Sequence, residues 1–456
     1  MTPNLDHRTR LPLTNASPSS GLAPGGSPAA TLDRAVRRAR RRLLPFLLLM
    51  YVISFLDRAN IGFAKEALQR YAGISPKAYA LAAGLFFLSY AAFELPSNLI
   101  LHRVGARVWM ARIMVTWGLV SVATMLVKGS SSFYILRLLL GAAEAGFFPG
   151  VILYLTYWFP SAVRARIFGI FYFGAPLAFI FGGPISGLLL QMHPIRSLQN
   201  WQWMFLVEGA LAVVVGIWSY WYLDNHPEDA SWLSASERQA LTDALLNEKN
   251  QADSHESLGL LGQLRDPRLL LFVLIYCLLQ TSVYGVVFYL PSEVSTILHR
   301  SAGIEVGLVS AVPWICALAG AFWLPRVADA TGLHRGVAAL ILLAAGCASF
   351  LYPVSGPVGS LIALCVAATG LIAVQPLFWT FPTNYLSGRQ AAGGVAIINA
   401  SGAIGGFIAP NIKVWTDEFF HSDHAGLYLL AGVTMLNAGL MVTVQAGRQK
   451  TMNTSQ

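Results

Sequence analysis

Two pairs of opposite charges stand where the chain is otherwise lipid-soluble. Asp57 and Arg58 are adjacent within the run from Leu43 to Ala64, and Arg137 and Glu144 lie within the run 132–158. A charged side chain at the bilayer centre costs about 2.5–3.5 kcal/mol on insertion scales, so four of them point to a cavity rather than to lipid. Seven residues of helix turn through about 700°, about 20° short of two turns, which sets Arg137 and Glu144 on one face roughly 10 Å apart. With both acids ionised the four charges cancel. Protonating either acid leaves one positive unit, and that unit attracts an organic anion. Asp57 and Glu144 are therefore expected to carry a coupling proton, and Arg58 and Arg137 to hold the anion. A static ion-pair network that only orients helices is the competing reading, disfavoured by the expense of four such charges in lipid.

The second half of the chain offers neutral groups instead. Gln375, Trp379, Thr380 and Asn399 fall within apolar runs, as do Gln280 and Tyr284. Amide and hydroxyl donors beside an aromatic face would orient a carboxylate-bearing ligand between the two halves, and helix packing is an equally open role for each. Glu94 and Glu208 lie nearer their helix ends, where a snorkelling or gating contact is cheaper than a central charge. Gly146 and Gly150, Gly183 and Gly187, and Gly402 and Gly406 have small-xxx-small spacing, which permits close helix approach.

The elements that position these residues follow from apolar length. Runs of roughly 20 residues, enough to cross a bilayer as a helix, recur about twelve times: 43–66, 79–101, 108–127, 132–158, 165–190, 201–222, 268–290, 304–325, 336–352, 358–384, 391–412 and 425–447. Mean hydropathy is +0.56, with 55% apolar and only 12% charged residues, far from a soluble composition. Continuous apolar runs exclude a β-barrel, whose strands alternate. The expected fold is all-α and integral to the membrane, with twelve transmembrane helices in two pseudo-symmetric six-helix bundles. The expected divisions are a disordered basic tail at 1–42, a first bundle at 43–222, a linker with a surface helix at 223–267, a second bundle at 268–447 and a short tail at 448–456. Ser234 and Glu237 have capping-box spacing at the start of that surface helix.

The net charge of +9 is concentrated in Arg34, Arg37, Arg38, Arg40, Arg41 and Arg42, just before the first crossing. That block is a topology signal rather than a nucleic-acid footprint, and it places both termini in the cytoplasm. The four cysteines, Cys277, Cys316, Cys347 and Cys365, fall singly in apolar runs. They are expected as buried thiols, with no disulfide and no metal. No Walker, H-E-x-x-H or G-x-S-x-G motif occurs, which argues against a nucleotide-driven pump and a membrane hydrolase and gives no catalytic residue.

The sequence over about 43–447 resembles the major facilitator superfamily, and within it the anion:cation symporter family. The resemblance rests on Tyr51 to Ala64 around Asp57-Arg58, Arg137 to Gly150 around Glu144, Trp158-Phe159-Pro160, Trp232-Leu233, Phe378-Trp379, and Ile398-Asn399 with Gly405-Gly406-Phe407. It implies that Asp57 and Glu144 protonate, that Arg58 binds the anion, that Arg137 partners Glu144, and that Trp379 and Asn399 line the substrate cavity. The branch containing tartrate, phthalate and hydroxyphenylacetate transporters looks most similar. His102 stands where Asp is usual, Gln202 where Arg is usual, Phe55 where sugar-acid members tend to carry Tyr, and Ala175 near a usual Gln. Those losses of polar groups favour a less hydroxylated or aromatic acid.

The expected function is proton-coupled uptake of a small organic carboxylate by a monomer in a bacterial-type inner membrane, with the proton as coupling ion and no cofactor. An efflux antiporter is the alternative, and a non-transporting scaffold or sensor a distant third. Gly183-Pro184-Ile185-Ser186-Gly187-Leu188 matches the drug-antiporter pattern only in part.

Overall fold

A computed structural model describes residues 28–192, 198–252, 265–386 and 388–444. Most of the expected N-terminal tail and all of the C-terminal one lie outside these residues. Twelve helical segments among those described are long and apolar enough to cross a membrane. Their outer faces carry Leu95, Ile135, Val214, Leu340 and Ile362, each more than half exposed. An apolar exterior of this extent is that of a protein solvated by lipid.

The first half comprises α1 (Pro28–Ala72), α2 (Pro76–Val104), α3 (Ala106–Ala123), α4 (Gly129–Glu144), α5 (Phe147–Trp158), α6 (Ser161–Tyr172), α7 (Gly174–Gln191) and α8 (Asn200–Tyr222). After the linker helix α9 (Ala235–Ala252), the second half comprises α10 (Pro267–Leu298), α11 (Ile304–Thr331), α12 (His334–Leu351), α13 (Pro357–Tyr385), α14 (Gly388–Phe419) and α15 (Ala425–Thr443). Within the first half α1 packs on α7, α2 on α4 and α3 on α8; the second half repeats this as α10 on α14, α11 on α13 and α12 on α15. The repetition is the pseudo-symmetry of two six-helix bundles.

Three boundaries differ from the apolar runs. The first helix begins at Pro28, because the Arg-rich segment has Leu32, Ala35, Val36 and Ala39 at helical spacing, which pack inward while Arg34, Arg37, Arg38 and Arg41 are exposed. The fourth crossing breaks directly after Glu144: Gly146 is left-handed at φ 84°, and a Cβ there would lie 2.6 Å from Ser97 Cβ. The fifth breaks at Phe173, between α6 and α7. The cysteines also depart from expectation. All four are free, three are half-buried and Cys347 is exposed on the outer surface, since the lipid-facing side of a spanning helix is as apolar as its packed side.

The loops divide the molecule into a near end, with Gly105 and the linker, and a far end, with residues 73–75 and 299–303. At the near end α9 docks on the first half. Arg38 Nη1 meets Glu237 Oε2 at 2.8 Å, and Glu248 accepts from the Ser161 N–H at 2.7 Å, the Ser161 hydroxyl at 2.8 Å and Arg164 Nη2 at 3.2 Å. The capping box forms, with Glu237 also accepting from the Ser234 N–H at 3.0 Å.

Burial works against the Glu248 charge, but Ser161 and Arg164 outweigh it and hold the carboxyl below its usual value of 4.5. Its docking contribution is therefore complete above pH 4.5 and is lost as pH falls through the depressed value. Glu248→Gln is expected to weaken this docking by roughly 1–2 kcal/mol at pH 7, by the usual worth of hydrogen bonds to a charged group. Faster amide exchange in α9 would show it, with the difference from the unsubstituted protein vanishing in acid; equal exchange at pH 7 would refute the docking role.

Candidate functional site

The four central charges converge. Asp57, Arg58, Arg137 and Glu144 are at most 8% exposed. Arg58 directs Nε and Nη2 to a single oxygen, Glu144 Oε1, at 2.9 and 2.6 Å, and Ser54 Oγ donates to the same oxygen at 2.7 Å. Glu144 Oε2 is buried without a partner. The third arm of Arg58, Nη1, reaches across the molecule to the Tyr284 hydroxyl at 3.3 Å. Its guanidinium lies against the rings of Phe55, Phe86 and Tyr90 at 4.9, 5.3 and 5.2 Å. The arginine fork that could receive a carboxylate is thus built, oriented and occupied by an internal carboxyl.

Asp57 makes a separate cluster. Its Oδ1 accepts from Ser121 Oγ and, at 3.3 Å, from Asn60 Nδ2, while Oδ2 is buried without a partner. Arg137, which the resemblance makes the partner of Glu144, makes no hydrogen bond to it and interacts with it through its charge alone. Its Nε donates to the Ala82 carbonyl at 3.4 Å, its guanidinium rests on Phe86 at 4.8 Å, and the strongest charge acting on it is that of Asp57. Helical spacing put Arg137 and Glu144 on one buried face, as found, but two turns of rise let Glu144 meet Arg58 while Arg137 lies in the field of Asp57. Ser54 and Asn60 were legible in principle, since each lies three residues from Asp57 and shares its helix face.

The second-half residues are placed unequally. Tyr284 touches Arg58. Gln280 Nε2 donates to the Tyr276 hydroxyl at 3.3 Å and leaves Oε1 buried and unpartnered. The Trp379 ring stands 5.1 Å from Tyr276 in an edge-on contact, with Nε1 buried and unpartnered. Gln375 is half-buried one turn before it. The Thr380 hydroxyl turns back to the Leu377 carbonyl at 2.7 Å, so its own helix occupies it. Asn399 Nδ2 donates to Glu94 Oε1 at 3.0 Å, a bond between the two halves.

Glu94 thus makes a contact between the two halves. Glu208 does not: it is 3% exposed, accepts from Ser186 Oγ at 2.7 Å and faces Asn60, because α8 turns it into the first bundle instead of toward a surface.

The halves meet chiefly toward the far end. A Cβ on Gly183 of α7 would lie 2.6 Å from the Gly307 carbonyl oxygen of α11, and Gly187 lies similarly against Gly303. Phe179 and Trp314 bring their rings to 4.2 Å across the same seam, and Gly62 faces the Phe288 carbonyl. Helices α4–α5 and α13, which carry Glu144 and Trp379, make no comparable packing. The two halves are thus sealed against each other at the far end. No cluster of metal-ligating side chains occurs among the described residues.

Two six-helix repeats around a central polar site define a secondary-transporter architecture. The Major Facilitator Superfamily model matches residues 47–410, and the chain belongs to that superfamily. It is similar to the inner membrane transport protein RhmT of Escherichia coli (strain K12), with 45% identity over 92% of this chain and 97% of the relative. A putative tartrate transporter of Agrobacterium vitis is 40% identical over 92% and 93%, and a quinolone resistance transporter of Acinetobacter baumannii 38% identical over 91% and 96%. Among solved structures, the inward-open xylose transporter XylE of E. coli superposes with a TM-score of 0.72 at 12% identity, covering 90% of this chain and 97% of that one. The protein is a multi-pass membrane transporter of this superfamily's organic-anion-transporter-like branch, not an enzyme.

Proposed function

We propose that this protein imports a small organic carboxylate together with a proton. The observation that carries this reading is the capture of Arg58 by Glu144: one carboxylate oxygen takes two of the guanidinium donors, so a substrate carboxylate must displace it. Protonation of Glu144 removes its charge, frees the fork and leaves the four-charge cluster one unit positive. A monoanion then restores neutrality. Binding of proton and anion is thereby coupled through one arginine, and the loaded cluster carries the same net charge as the empty one. Asp57, paired in charge with Arg137, offers the second proton position. Tyr284, Gln280, Gln375, Trp379 and Asn399 face the substrate from the charge-poor half, with Thr380 held to its own helix, and the putative tartrate transporter among the relatives supports an organic acid as cargo.

By the positive-inside rule the Arg-rich near end is cytoplasmic, in a bacterial-type inner membrane, and a monomer suffices because the whole site lies within one chain. The quinolone resistance transporter favours a second reading, proton-driven export. The two are separated by the sign of proton movement in proteoliposomes enclosing a pH dye, with equal pH on both sides. Screening candidate acids, symport is expected to acidify the lumen as substrate enters; alkalinisation during entry would establish antiport and reject symport.

A further inference from the structure

One buried ring is shared by two of the four central charges. Phe86 of α2 is 1% exposed, and the guanidinium of Arg58 lies 5.3 Å from its centroid and that of Arg137 4.8 Å. The ring is held by Phe87, edge-on at 5.1 Å, and by Tyr90 at 5.9 Å. Gly141 brings it to the site: a Cβ there would collide with the Phe86 carbonyl oxygen, so α2 and α4 meet closely between Arg137 and Glu144. The two arginines depend on the ring unequally. Arg58 also has the Glu144 carboxylate and the rings of Phe55 and Tyr90. Arg137 has no hydrogen-bonded carboxylate and no second ring among the described residues. Its Nε makes one long bond to the Ala82 carbonyl, and its Nη2 is buried without a partner.

We infer that Phe86 is a positioning residue of the charged site, holding Arg137 where no carboxylate does and making it respond to the state of Glu144. The inference rests on the proposed reading of Glu144 as a group that protonates. The negative face of an aromatic ring attracts a cation, and more strongly where water is excluded. Two like charges on one ring repel each other and compete for that face. While Glu144 is ionised it draws Arg58 to its Oε1, and Arg137 takes the larger share of the ring. Once Glu144 is neutral, Arg58 leans more on Phe86 and drives Arg137 from the ring toward Asp57. A substrate carboxylate on Arg58 reverses this. The Arg58–Glu144 and Arg137–Asp57 clusters share no hydrogen bond among the described residues, and Phe86 is a contact common to both.

The test uses the purified full-length protein in detergent, without cargo. Phe86 is replaced by mono-, di- and trifluorophenylalanine, which keep the shape of the ring while withdrawing its negative face step by step. The unfolding temperature is expected to fall with each fluorine. The same series at Phe205, a buried ring of α8 with no cation on it among the described residues, is expected to be flat. Arg137→Met is made together with Asp57→Asn, so that no buried charge is orphaned. This loss of Arg137 should remove at least half of the fall per fluorine. In Glu144→Gln, where Arg58 takes the ring, the same loss should remove no more than a quarter of it. A flat response at Phe86 would show that the ring acts by shape alone and would overturn the inference, even if Phe86→Leu unfolds the protein. A fall that survives the loss of Arg137 undiminished would overturn it too, as would equal shares with and without the Glu144 carboxylate. None of these outcomes bears on carboxylate transport, whose failure is read separately from the sign of the lumenal pH change.

Discussion

Glu144→Gln is expected to abolish uphill accumulation of substrate while preserving exchange of labelled for unlabelled substrate across the membrane. The side chain is fully buried and its Oε1 receives three hydrogen bonds, two from Arg58 and one from Ser54. A glutamine oxygen can still accept from Ser54 and Arg58, so the local geometry has a neutral replacement of nearly the same shape. What it cannot do is change charge. The variant is locked in the condition that protonation produces, with the four-charge cluster one unit positive and the Arg58 fork weakly held. Substrate binding should be equal to or tighter than in the parent, because the internal competitor for the arginine has lost its charge.

Exchange requires only that the loaded carrier reorient. Net accumulation requires the empty carrier to return after losing its proton, and a glutamine has none to lose. Accumulation driven by a pH gradient should fall at least tenfold, with counterflow within about threefold of the parent. Asp57→Asn should show the same split if Asp57 shares the proton, and a milder effect if Glu144 alone carries it. Parent-like accumulation in Glu144→Gln would remove the coupling role from this residue. Loss of both activities in a folded variant would instead make the carboxylate an obligatory structural charge.

The contrast between Glu144 and Thr380 shows how much of the site the sequence carried. A buried charge is conspicuous because lipid makes it expensive, so Asp57, Arg58, Arg137 and Glu144 announce a cavity by type and spacing alone. Neutral polar residues lack that signature: Thr380 and Asn399 read alike in sequence, yet one bonds its own helix and the other bridges the two halves. Pairing among charges was also beyond reach. Arg58 and Glu144 are 86 positions apart, and which arginine takes which acid depends on the relative rotation of α1 and α4.

The fold was more legible than the site, since a crossing needs only length and apolar composition. Gly146 read as a packing glycine within one continuous crossing; the break after Glu144 and the approach of Ser97 from α2 were not legible. Likewise Gly183 and Gly187 advertised a close helix contact without naming α11, whose Gly303 and Gly307 complete it. For Glu208 the sequence left a structural and a gating role open, because distance from a helix end says nothing about which side of the helix the residue occupies; the structure turns it inward onto Ser186.

That glycine seam carries the second large prediction. Substituting Gly307 with Val is expected to destabilise the far-end-closed arrangement and to cut transport at least tenfold without unfolding the protein. A Cβ at Gly307 would be driven into the Gly183 carbonyl, and one at Gly183 would lie 2.6 Å from the Gly307 carbonyl. Both obstacles are helix backbone, so no rotamer change relieves them and α7 must separate from α11. Overpacking of this kind costs about 1–3 kcal/mol, enough to move a two-state equilibrium by roughly five- to 150-fold.

The exposed ion pair between Lys77 and Glu418, 2.7 Å apart with side chains 71% and 44% exposed, also joins the halves at this end, but screening leaves such pairs little worth. Lys77→Ala should therefore transport normally, which tests whether steric fit or surface charge closes the far end. The readout is modification of a cysteine introduced at Ser295, which is 7% exposed in the closed arrangement. An impermeant thiol reagent added from the far side should label it several-fold faster in Gly307→Val than in the parent, and at the parent rate in Lys77→Ala. Parent-like labelling and transport in a folded Gly307→Val protein would show that the two helices separate no further than the parent allows, and that the seam does not govern access.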